Sequence, residues 1–64
     1  MTDNKLRSRL TGGEVRSLMR RHGKTIRGLS LAMRITQARV REVRLRGVTG
    51  EAFVRDWLEA VEAQ

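Results

Sequence analysis

The chain has no cysteine and no proline. Without cysteine, neither a disulfide nor a thiolate metal site can brace the fold, and a thiol-free protein suits a reducing compartment. No proline marks a linker or a break. Its one histidine cannot build a metal site alone. Aromatics are equally scarce, with one Trp, one Phe and no Tyr. Their scarcity removes the stacking platform on which single-strand RNA binders lay their bases. Acidic groups are few, seven against fourteen Lys and Arg. No apolar run approaches the ~20 residues of a membrane span. The opening MTDNKLRSRL lacks the apolar core of a secretory signal. A soluble, cytoplasmic protein is therefore expected. No phosphate-cradling glycine loop is present, since Gly12-Gly13 serves the start of a helix, and no carboxylate pair sits in a plausible pocket. These gaps argue against an enzyme, and no cofactor, metal or small-molecule ligand is expected.

What the chain does have is positive charge, unevenly spread. The net charge over 64 residues is +7. Residues 1–46 hold 13 basic and 3 acidic groups, or +10, and residues 47–64 hold 1 basic and 4 acidic, or −3. Such a split points to a polyanion-binding part and a separate packing or pairing part. Twelve of the fourteen cations are arginine, whose planar fork matches phosphate and guanine edges in two-point contacts. With 39% apolar residues at helical spacing, the charge does not signal disorder. A chain this short buries only about 60% of its unfolded surface, so association with a second copy is the remaining brace.

The organisation is read from caps and periodicity. Residues 1–9, with Lys5, Arg7 and Arg9, form a basic N-terminal arm, either a solvated end or a strand of charge along phosphates or a minor groove. Residues 10–64 form a single domain. A capping box, Thr11 with Glu14, opens the first helix, and Leu10 and Val15 stand at the staple positions. Val15, Leu18 and Met19 give its apolar face, and His22-Gly23 ends it. Thr25 caps a second helix, whose inner face is Ile26, Leu29, Ser30 and Met33. Arg34-Ile35-Thr36 is a turn, Ile35 its buried anchor and Thr36 the cap of a third helix. There Val40 and Val43 point inward, with Gln37, Ala38, Arg41, Glu42 and Leu45 on or near the opposite side. Gly47 stops it. Val48-Thr49 followed by Phe53 repeats the opening device of the first helix and predicts a fourth, over 50–63, with the broad apolar stripe Phe53, Val54, Trp57, Leu58 and Val61. No strand alternation of useful length is visible. The expected fold is all-α, a small bundle of four to five helices.

Two helices joined by a tight turn, the second rich in arginine, fit a DNA-binding helix-turn-helix over 25–46. That unit needs a small residue where its helices cross, a buried aliphatic in the turn, and two inward residues one turn apart on the second helix. Ser30, Ile35, Val40 and Val43 meet those needs in order. At Thr25 to Arg44 the sequence resembles the helix-turn-helix of phage- and plasmid-type repressors, the Cro/XRE-like group, and more loosely so over Thr11 to Gly47. The resemblance implies a lambda-repressor-like DNA-binding fold. The sequence departs from that group's pattern at Ile26, where a phosphate-binding Gln is common, at Ser30, where Ala is common, and at Arg34, where Gly is common. A non-glycine residue in a left-handed turn costs on the order of 1 kcal/mol.

The resemblance puts base reading on Gln37, Ala38 and Glu42, with Arg41 beside them. The chemistry is apt. Gln can bond adenine N6 and N7, Ala can meet a thymine methyl, Glu can accept from cytosine N4, and Arg can grip guanine O6 and N7. Glu42 also sits where it can pair with Arg39 or Arg46, and the two roles are compatible. Thr25, Arg27, Arg34, Thr36, Arg39, Arg44 and Arg46 are the phosphate candidates. The stripe Phe53, Val54, Trp57, Leu58 and Val61 either closes the core of one chain or pairs two, and pairing into a homodimer is the preferred expectation. The expected function is a sequence-specific regulator of transcription on double-stranded DNA, bound as a dimer to an inverted repeat through the major groove. Repression, including self-repression of a phage or plasmid operon, is the expected mode. An antitoxin-like protein-interaction module and a non-specific nucleic-acid binder are the alternatives.

Overall fold

The computed structural model describes residues 8–63. Their order is β1 (Arg9–Leu10), α1 (Gly12–Arg21), α2 (Ile26–Met33), α3 (Gln37–Arg46), β2 (Val48–Thr49) and α4 (Glu51–Glu62). The all-helical expectation is corrected in one respect. β1 and β2 pair antiparallel, with Arg9 opposite Thr49 and Leu10 opposite Val48. Strands of two residues carry no alternation, so no period announces them. Most of the expected arm, residues 1–7, lies outside the described residues, and Arg9 belongs to β1. No helix among the described residues is long and apolar enough to cross a membrane.

Three threonines start three helices. The Thr11 hydroxyl accepts from the Glu14 N–H at 3.1 Å, and the Glu14 carboxylate accepts from the Thr11 N–H at 2.9 Å. Leu10 and Val15 are both buried beside this box. Thr25 accepts from the Gly28 N–H at 3.0 Å, and Thr36 from the Arg39 N–H at 3.0 Å. Each cap contributes roughly 1 kcal/mol by satisfying an otherwise unpaired donor. α1 ends at His22, and Gly23 follows in the left-handed region.

The link between α2 and α3 turns on Arg34, at φ 59° and ψ 42°. It is the one non-glycine residue with positive φ among those described. The turn is held from both sides. The Ile35 N–H donates to the Ser30 carbonyl at 3.0 Å, and the Ser30 hydroxyl donates to the Arg27 carbonyl at 2.8 Å.

The start of α4 departs from expectation. Thr49 does not cap it, because Thr49 is committed to β2. Gly50 stands at the cap with no side-chain bond. Its N–H donates to the Ser8 carbonyl at 2.7 Å, which ties the helix start to β1. Phe53 does not staple the helix, since it is 61% exposed.

The core consists of Leu10, Val15, Met19, Leu29, Val40, Val43, Val48, Val54, Trp57 and Val61. α3 lies at its centre, packed by α1 and by α2, while α4 covers α2 and the ribbon. Burying each such side chain stabilises the fold by about 1.5–3 kcal/mol. Close backbone approach is required in two places. A Cβ on Gly12 would lie 2.5 Å from the Leu45 carbonyl oxygen, and one on Gly47 would lie 2.1 Å from that of Leu10. Glycine therefore lets α1 lie directly against the end of α3.

The expected pairing stripe is also corrected. Val54, Trp57 and Val61 are 1%, 4% and 2% exposed within the single chain. They close its own core and are not available to a second copy. Leu58 is partly buried, and Phe53 is left outside. The stripe is wide because α4 packs on both α2 and the ribbon.

Candidate nucleic-acid interface

α3 is fixed by its inner face. Val40 and Val43 are fully buried, one turn apart on one side of the helix. Helical register then forces Gln37, Ala38, Arg41, Glu42 and Leu45 outward, and all five are exposed. Leu45 is 78% exposed, although large and apolar. The outer face thus presents an amide, a methyl, a guanidinium and an isobutyl group, with Glu42 on one flank.

Glu42 is engaged by its neighbours. One carboxylate oxygen accepts from the Arg39 guanidinium at 2.6 Å, and the other lies 3.9 Å from that of Arg46. This exposed triad adds little stability. What it does is hold Arg39 and Arg46 along one flank of α3. Base reading by Glu42 would require this pairing to open. Arg41 reaches Gln37 at 3.5 Å, too long to bind either side chain firmly. Both remain able to turn toward a ligand.

The other flank carries a cleft of about 510 Å³, lined by Arg16, Met19, Arg20, Lys24, Thr25, Ile26, Arg27 and Arg44. Five of these are cations and none is a carboxylate. Of the expected phosphate contacts, the structure brings Thr25, Arg27 and Arg44 together here. Arg39 and Arg46 lie with Glu42, and Arg34 stands exposed at the turn. The Thr36 hydroxyl is occupied in capping α3, and that of Thr25 in capping α2.

Sequence reasoning missed Arg16, Arg20 and Lys24. Arg16 and Arg20 stand one turn apart on α1, which makes them neighbours. Nothing local says that this side of α1 faces α2. Arg44 is partly buried, its Nε is enclosed without a partner, and its carbonyl accepts from the Arg16 guanidinium. The cleft meets the first turn of α2, where unpaired N–H groups and the helix dipole favour an anion. Ile26 itself offers no hydrogen-bonding group to such an anion, and the cations around it are the groups that could hold one.

Comparison with protein-family models, curated protein sequences and solved structures gives no match for this chain.

Proposed function

We propose that this chain is a sequence-specific regulator of transcription, a homodimeric repressor that inserts α3 into the major groove of an inverted-repeat operator. In this reading α2, the Arg34 turn and α3 are a helix-turn-helix. One observation carries it: α3 is anchored by Val40 and Val43 and offers an unobstructed face of Gln37, Ala38, Arg41 and Leu45 between two arginine-bearing flanks. Amide, guanidinium and apolar groups on one helix face match the donors, acceptors and thymine methyls of base-pair edges. The flanks match phosphates on either side of a groove, which set affinity and register. Stacking on single strands gains little support, because Trp57 is 4% exposed, there is no Tyr, and the exposed Phe53 stands alone on the acidic helix α4. Binding of two copies at half-sites about one helical turn (~34 Å) apart would occlude a promoter without any further domain.

Selection of binding sites from random duplex DNA, followed by substitution, tests this reading. Gln37→Ala and Arg41→Ala should each lose about 1–3 kcal/mol of preference at one base pair of the selected site. Arg20→Ala and Arg39→Ala should weaken binding to every duplex alike and lower its salt dependence by about one ion each. If all four variants lose affinity equally on every sequence, the protein is a non-specific nucleic-acid binder and base reading falls.

A further inference from the structure

An open groove of about 830 Å³ runs between α1 and α4, on the other side of α1 from α3's basic flank. Its floor is apolar, made by Leu10, Leu18, Val54 and Leu58. Its rim inverts the character of the chain. Glu14, Glu51, Glu59 and Glu62 line it, against only Arg21 and Arg55. Four of the seven carboxylates of a +7 chain thus gather at one groove. Among the described residues, Arg21, Arg55, Glu51, Glu59 and Glu62 take part in no ion pair within the chain. An acidic rim keeps this face off a polyanion.

We infer that this groove is where two copies of the chain pair, α4 lying antiparallel across α4 of the second copy about a two-fold axis that passes between Leu58 and Glu59. The inference deepens the dimeric-regulator reading, since an inverted repeat calls for a two-fold pair. Charge spacing carries it. Arg55 and Glu62 stand seven residues apart on the groove side of α4, so they lie on one helix face about 10.5 Å apart. A two-fold axis at their midpoint sets Arg55 of each copy against Glu62 of the other, twice over. Arg55 and Glu62, on either side of Leu58, complement themselves about that axis, as an isologous interface must, and these two pairs stand against the single repulsion of the Glu59 side chains that the same axis brings together. Leu58 and Leu18, the two floor residues that the single chain leaves partly exposed, are then covered by the second copy, and their burial supplies the affinity. The charged pairs set direction and register more than strength. A specific interface takes about 800 Å² from each partner, about a sixth of the 4867 Å² accessible surface. A contact of that size centred on the α1–α4 groove would leave the outer face of α3 uncovered.

Charge exchange tests the arrangement by sedimentation equilibrium. Arg55→Glu and Glu62→Arg should each weaken self-association at least about tenfold, by placing like charges face to face. The double variant restores the pairs in reverse and should recover the wild-type association. Both positions are exposed, so circular dichroism should show an intact fold in all three. A wild type that stays monomeric at high concentration overturns the proposal. So do single variants that associate as the wild type does, or a double variant no better than the singles. Binding to a duplex with one selected half-site keeps the two readings apart. If the protein selects that half-site as a monomer, pairing fails while base reading stands. If the chain pairs and shows no sequence preference, the reverse holds.

Discussion

At the scale of single residues, Arg34 is the point of greatest tension. Its left-handed backbone costs a side-chain-bearing residue roughly 1–2 kcal/mol, and no other non-glycine residue described adopts it. Glycine would relieve that cost and give some back through the freer unfolded chain. Arg34→Gly should therefore raise stability by a net ~0.5–1 kcal/mol, seen as a melting temperature up by a few degrees in a domain this size. If Arg34 also meets phosphate, the same variant binds DNA more weakly while folding more firmly. Stability and affinity would then part in opposite directions, a trade that would account for an arginine at a position suited to glycine. A melting temperature unchanged or lowered by the substitution would show that the turn is not strained.

At the scale of elements, the helix starts were legible and the ribbon was not. Thr11, Thr25 and Thr36 announce α1, α2 and α3 because an N-cap bond is local and needs only residues three apart. The same signal at Val48-Thr49 announced α4 but named the wrong cap, since Gly50 stands there. Leu10-Thr11 and Val48-Thr49 look alike, but Leu10 and Val48 are partners across the ribbon, a long-range fact invisible to a local pattern. The outer face of α3 was legible through the period of Val40 and Val43. The cation cleft was only half so, because Arg16 and Arg20 join it through the packing of α1. That packing depends on Gly12. A methyl group there would meet the carbonyls of Leu45 and Arg44 at 2.5 and 2.6 Å, and backbone of this kind cannot swing aside. Gly12→Ala should cost about 1–3 kcal/mol or more by overpacking, read by urea denaturation. Gly13→Ala is the control. A Cβ there would find its nearest neighbour, the Arg16 side chain, at 3.7 Å, so that variant should be close to neutral.

At the scale of the whole molecule, the question is what α4 is for. Composition left two uses open for its apolar stripe, and burial assigns Val54, Trp57 and Val61 to the core of the single chain. Trp57 faces the core of its own chain at 4% exposure, and Phe53, one turn earlier, is 61% exposed. The division predicts opposite fates for the chain's two aromatic residues. Removing a buried tryptophan costs about 3–5 kcal/mol, while a small domain holds roughly 0.05–0.15 kcal/mol per residue in all. Trp57→Ala should therefore remove half or more of that stability, seen as loss of the helical circular-dichroism signal at a much lower temperature or urea concentration than in the wild type. Phe53→Ala should change stability by less than about 0.5 kcal/mol. Concentration is the discriminating variable. Were Trp57 an interface residue, its variant would be a folded monomer with normal helicity, and only association would suffer. A wild type stabilised by pairing through the α1–α4 groove should melt higher as it is concentrated. Phe53→Ala should keep that dependence, because Phe53 does not line the groove, whereas Arg55→Glu should lose it while keeping the fold.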